Sequence, residues 1–136
     1  MSDPYDLIII GGGPAGTAAG VYASRKQLKT VFVTNEWGGQ SIVSPDIQNW
    51  IGTPSISGDQ LAKDLEGHLR AYAGEWVEIK DKTELETLTK SDEGHVVHFK
   101  GGESATTKAI LIATGSKRRR LNADNAEELE HKGLTY

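Results

Sequence analysis

The feature that most restricts what this chain can fold into is the hexapeptide Gly11-Gly12-Gly13-Pro14-Ala15-Gly16, set between an apolar run and a helical stripe. The run from Tyr5 to Ile10 is short and nearly continuously apolar, the pattern of a strand buried on both faces of a parallel sheet. From Pro14, a residue suited to a first helical turn, Ala15, Ala18, Ala19, Tyr22 and Ala23 recur at helical spacing. Thr30-Val31-Phe32-Val33-Thr34 is then β-branched and aromatic, so a second strand follows and residues 5 to 34 read as one β-α-β unit of an α/β fold.

In that context the glycines fit G-x-G-x-x-G, and each has a steric task. Gly11 makes the tight turn, Gly13 lets the backbone approach a pyrophosphate without a Cβ, and Gly16 lets the helix pack against the strand. Unpaired N–H groups of the first helical turn then face the phosphates, where the helix dipole is worth about 0.3–1 kcal/mol. Pro14 and Ala15 complete this cradle. Glu36 follows Gly16 by 20 residues, the distance at which a carboxylate reaches the ribose hydroxyls of an adenosine; the adjacent Asn35 is an alternative for that role. Gly20 costs helix propensity, which points to close helix-sheet packing. None of this separates FAD from NAD, since both present the same adenosine diphosphate.

Composition removes several function classes. With 136 residues the chain suffices for one core, and 15 basic against 19 acidic residues give a net charge of −4, which repels rather than concentrates a nucleic acid. No apolar run approaches the roughly 20 residues needed to cross a bilayer, and Asp3 stands where a secretory signal would be basic, so the expectation is a cytoplasmic protein without membrane contact. Cysteine is absent, which excludes a disulfide, a thiolate metal site or a redox dithiol within these residues. His95 and His98 lie an odd number of residues apart in a strand candidate and so face opposite ways; no metal is expected.

Residues 35 to about 57 are rich in Gly, Pro, Ser and Asn without a sustained period, the signature of a functional loop. Ser57 and Gln60 resemble a capping box, and Leu61, Leu65 and Leu69 then mark a helix running to about Ala73. Trp76 to Ile79, Glu84 to Thr89 and His95 to Phe99 are expected to form an antiparallel meander, with turns at Asp92-Glu93-Gly94 and Gly101-Gly102. Ala109 to Ala113 reads as a buried strand ending at Thr114-Gly115, and Lys117 to Arg120 as a solvated connection.

Beyond the cradle, Trp37-Gly38-Gly39-Gln40, Gln48-Asn49-Trp50-Ile51-Gly52 and Ala113-Thr114-Gly115-Ser116 resemble the low-molecular-weight thioredoxin reductases and the related alkyl hydroperoxide reductase flavoproteins, of the pyridine nucleotide-disulfide oxidoreductase family. The resemblance covers essentially the whole chain. It implies a Rossmann-like FAD-binding domain, a parallel sheet with helices plus a small antiparallel β-meander, and it assigns Gly38, Gly39, Gln40, Asn49 and Thr114, with the adjoining Gly115, to FAD. Backbone glycine can lie flat against a ring system, and amides can hydrogen-bond its polar edge. The family often has an acid before Asn49, where this chain has Gln48. On residues alone Asn49 also reads as a turn residue, Trp50 reads more readily as core packing than as a flavin shield, and Trp37 is undecided.

The same resemblance places Lys132-Gly133-Leu134-Thr135-Tyr136 just before a Cys-x-x-Cys pair. It implies that residues 1–136 are a partial FAD/NAD(P)-binding domain, without the family's NADPH domain and returning C-terminal FAD segment. In a complete relative, NADPH or NADH would reduce FAD, and FAD would reduce a disulfide-bearing protein or another acceptor, in an assembly that can be a homodimer. The expectation is therefore an oxidoreductase whose first portion holds FAD but lacks disulfide reductase activity alone, with no catalytic side chain named. The alternative is a stand-alone module that binds FAD or an adenine nucleotide without redox turnover.

Overall fold

Strand β1, Tyr5–Gly12, follows from side-chain alternation: Ile9 points to one face of the sheet and Ile8 to the other, and both are fully buried. The computed structural model describes residues 4–92, 94–116, 119, 121–129 and 132–133. The expectations for Asp3, Glu93, Lys117, Arg120 and the segment Leu134 to Tyr136 fall outside them. Helix α1, Pro14–Arg25, leads to β2, Thr30–Trp37, and a 3-10 segment, Gly39–Val43, precedes helix α2, Gly58–Ala73. Strands β3, Val77–Asp81, β4, Leu85–Ser91, β5, Gly94–Phe99, and β6, Ser104–Ile112, come next, followed by a short helix α3, Ala126–Leu129.

The strands form one six-stranded sheet in the order β3-β2-β1-β6-β5-β4. β1 pairs in parallel with β2 and β6, and β2 in parallel with β3; β4, β5 and β6 pair antiparallel. β6 is thus the seam between a parallel half and a meander. This corrects the expectation that Trp76 to Ile79 belongs to the meander, since Thr30 pairs with Val77 and Phe32 with Ile79. The sixteen residues of α2 carry the chain back to the start of the sheet, so the strand after it must run parallel to β2.

Two apolar clusters sandwich the parallel strands. On one face Ile9 and Phe32 meet Val21 and Ala23 of α1 with Leu69 and Ala73 of α2. On the other, Ile8, Val31 and Val33 meet Val97 and Phe99, so the meander folds back over the sheet. Each fully buried Ile, Val, Leu or Phe among them stabilises the fold by about 1.5–3 kcal/mol relative to leaving it exposed.

Helix α1 buries only part of the stripe read from its sequence: Ala23 is buried and Ala19 packs against the core. Ala15, Ala18 and Tyr22 are exposed, Tyr22 at 67%, whereas Gly16, Thr17, Gly20, Val21, Ala23 and Ser24 are buried. Volume decides this face rather than hydrophobicity: a Cβ on Gly20 would stand 2.9 Å from Leu69 and 3.2 Å from Phe32, so the helix lies close against both α2 and the sheet. β6 departs from expectation too. Leu111 is 36% and Ile112 67% exposed, because α1 and α2 cover β1 to β3 and no described element covers the end of β6. The cap of α2 is half the expected box: Ser57 accepts from the Gln60 N–H at 3.2 Å, but the Gln60 side chain donates to Asp64 instead of returning.

Candidate functional site

A crevice of about 670 Å³ opens at the C-terminal ends of β1, β2 and β6. Its place follows from the connections, since the chain leaves β1 toward β2 on one side while β6 lies on the other, the switch point where open α/β sheets bind ligands.

The floor is the glycine turn. Gly11 has φ +122°, and a Cβ there would lie 2.3 Å from the Ala113 carbonyl oxygen; one on Gly16 would lie 1.9 Å from the Gly11 carbonyl. Gly13 differs: its nearest neighbour to an added Cβ is the Gly39 Cα at 3.9 Å, so the missing side chain leaves free space inside the crevice. The first α-helical bond runs from Thr17 N–H to Gly13 C=O at 3.0 Å, leaving the N–H groups of Ala15 and Gly16 without an intrahelical acceptor. No lysine, arginine or histidine lines the crevice among the described residues. Among those residues a bound anion would rest on backbone N–H groups and the helix dipole.

One wall is the end of β2. Asn35 and Glu36 both line the crevice, and the Thr34 hydroxyl donates to the Glu36 carbonyl at 2.6 Å, curling the strand end. Trp37 points the other way. Its ring stacks on Phe32 with centroids 5.3 Å apart, its indole N–H donates to Asp81 at 3.1 Å, and the Arg70 guanidinium lies over it while also bonding Asp81 and Glu66. Trp37 is an anchor behind the wall. Opposite Gly13, the 3-10 segment contributes Gly39, Gln40 and Ser41. The remaining wall carries Thr114, Gly115 and Ser116, and the Gln40 amide donates to the Ser116 carbonyl across the opening.

Of the residues singled out from sequence, Gly11, Gly13, Pro14, Ala15, Asn35, Glu36, Gly39, Gln40, Thr114 and Gly115 come together around this crevice. Gly16 packs beneath it, and Gly38 stands behind it against Ala62. Asn49 is not brought in: it is exposed on a loop closed by the Ile47–Ile56 bridge. There Asp46 accepts from Ser55 at 2.7 Å and Gln48 at 2.6 Å, bonds that hold its carboxyl below the usual range. Trp50, 37% exposed, belongs to neither buried cluster, which corrects its reading as core packing. Sequence reasoning missed Thr83, Glu84, Leu85 and Leu88, which also line the crevice. Their approach follows from β3, whose end is tied to β2 by Thr83 N–H donating to Thr34 C=O at 3.1 Å. Placing β3 in the parallel half is the signal that would have found them.

Glycine turn, helix terminus and acidic strand end define an α/β domain of the dinucleotide-binding class. Similarity to known proteins narrows the class. The chain belongs to the pyridine nucleotide-disulphide oxidoreductase family, whose model matches residues 5–136. It is 33% identical over 134 residues to the Pseudomonas aeruginosa alkyl hydroperoxide reductase F protein, covering 98% of this chain and 26% of that protein. It is 30% identical over 134 residues to an NADH dehydrogenase of Bacillus subtilis, again covering 98% of this chain and 26% of the relative. Among solved structures, the thioredoxin reductase of Lactococcus lactis superposes with a TM-score of 0.82 at 30% identity, over 92% of this chain and 40% of that one. The chain thus spans about a quarter of the length of these curated relatives. Among the described residues, no helix is long and apolar enough to cross a membrane.

Proposed function

We propose that this chain is the FAD-holding portion of a cytoplasmic thioredoxin reductase-like oxidoreductase, in which NADPH or NADH reduces FAD and FAD reduces a disulfide-bearing protein or another acceptor. The carrying observation is the crevice itself, with a glycine floor whose Gly13 leaves free space beside a helix N-terminus. FAD fits that donor set: a pyrophosphate needs N–H groups and room, and the floor offers both without a basic side chain. When bound, FAD would supply two-electron redox chemistry.

The residues of this chain would bind and orient it. The first turn of α1 would hold the pyrophosphate, Glu36 or Asn35 the ribose hydroxyls, and Gly39, Gln40, Thr114 and Gly115 the ring-bearing half. Gly38 would act by shaping its neighbours, and Asn49 joins the set only through an inward movement of the 44–57 loop. Residues 1–136 would then be part of a larger FAD/NAD(P)-binding protein, which can assemble as a homodimer, and would not reduce disulfides alone.

The test is to incubate the purified chain with FAD, remove free ligand and record the visible spectrum. Retained flavin absorbance at about one equivalent is expected. Firm binding of ADP or NAD with no retention of FAD would contradict the flavin assignment and favour an adenine-nucleotide module. NADPH-linked reduction of a disulfide by the isolated chain would contradict the division of labour.

A further inference from the structure

The N-terminal turns of α2 touch the back of the crevice wall at two places that no cofactor assignment includes. Gly58 opens the helix, and its φ lies outside the left-handed region. Its conformation does not require glycine, and alanine would serve a helix better. What requires glycine is the 3-10 segment: a Cβ on Gly58 would stand 1.8 Å from the Ser41 carbonyl oxygen and 2.7 Å from its carbon, both backbone atoms that cannot rotate away. The Gly58 N–H also donates to the Ser44 carbonyl at 2.8 Å. One turn later, Ala62 is buried against Gly38, where an added Cβ would lie 2.5 Å from the Ala62 Cβ.

On its other side the same segment is tied to the floor, with Gly38 N–H donating to Gly12 C=O at 2.9 Å and the Ser41 hydroxyl donating to Gly38 C=O at 2.8 Å. The wall is thus clamped between the end of β1 and the start of α2. Helix α2 is the fixed partner, held in the interior by Leu61 and Leu69, which are 3% and 0% exposed. Extra atoms at Gly58 or Ala62 would displace Gly39, Gln40 and Ser41 into the crevice rather than push the helix out.

We propose that Gly58 and Ala62 are positioning residues that set where the Gly39–Val43 segment stands against the bound dinucleotide, an inference that rests on the crevice holding FAD. The test compares Gly58→Ala and Ala62→Val with Gly67→Ala. Gly67 lies on the same helix, and a Cβ there would meet nothing within 4 Å. FAD titrations of the folded proteins, with visible-region circular dichroism of the bound flavin, should show at least tenfold weaker binding and an altered flavin signal for the first two. Gly67→Ala should match the parent in both. A purely structural role would lower the thermal midpoint while leaving the flavin signal and affinity of the folded protein unchanged, and that result would overturn the proposal. If Gly58→Ala does not fold, Ala62→Val decides by the same criteria; loss of fold in both would also overturn it, by showing that the contact holds the whole domain rather than the wall. Failure of the parent to bind FAD would instead strike the proposed function, so the two failures are distinguishable.

Discussion

Gly13 and Gly16 lie one helical turn apart and have opposite steric roles. Because a Cβ on Gly16 would meet the Gly11 carbonyl at 1.9 Å, Gly16→Ala should destabilise the fold by about 1–3 kcal/mol. Gly13→Ala, with open space before it, should leave the thermal midpoint nearly unchanged, and parallel thermal melts of the two variants check the contrast. Asn35 and Glu36 both line the crevice as alternatives for the ribose hydroxyls. A hydrogen bond to a charged group contributes about 1.5–3 kcal/mol, so Glu36→Ala should weaken FAD binding roughly tenfold or more. Asn35→Ala should weaken it less, and titration of both variants with FAD and with ADP separates the assignments.

Helix α2 shows how far a local motif can be trusted. Ser57 and Gln60 gave the correct helix start, but Gln60 turns to Asp64. Ser57→Ala should therefore cost about 1 kcal/mol of stability, while Gln60→Ala should cost a few tenths, as read by denaturant titration. Much of the fold was legible because it is written in short-range patterns: the apolar run to Ile10, the glycines, the stripe of α2 and the β-branched β2 all recur where expected. Pairing partners are not local, and the placement of β3 beside β2 was missed. With it went Thr83, Glu84, Leu85 and Leu88 as part of the crevice. The buried face of α1 was only partly legible for another reason, since beside Val21 and Ala23 packing there selects small residues at Gly16, Gly20 and Ser24. Nothing in the sequence around Asn49 distinguishes a residue that lines a pocket from one on an exposed loop.

Across the molecule, the meander is fastened to the parallel half by a polar network as well as by Phe99 and Val97. The Tyr5 hydroxyl on β1 donates to Glu78 on β3, and Lys80 bridges Glu78 at 2.9 Å and Glu103, beyond β5, at 2.8 Å. The Tyr5 hydrogen bond, then Lys80, lowers the Glu78 carboxyl below its ordinary value of 4.5, and the carboxylate raises the Tyr5 phenol above 10.0. Glu78 is protonated in the unfolded chain before the folded one, so its contribution is present above about pH 4.5 and is lost as pH falls through the lowered value. Tyr5 contributes below about pH 10 and loses its contribution as pH rises through the raised value. Tyr5→Phe should flatten the stability profile at both ends, as measured by urea midpoints across pH.

If the glycine floor of the crevice holds a dinucleotide through its backbone, Gly13→Val should abolish binding without disturbing the fold. The floor leaves room for a Cβ at Gly13, whose φ is −77°, so a side chain there meets no left-handed strain, and the γ-methyls of valine would fill the space a pyrophosphate would take. The parent chain should retain FAD after removal of free ligand, whereas Gly13→Val should keep the parent far-UV circular dichroism but retain no flavin. Equal flavin retention by a correctly folded Gly13→Val would contradict backbone binding at this floor.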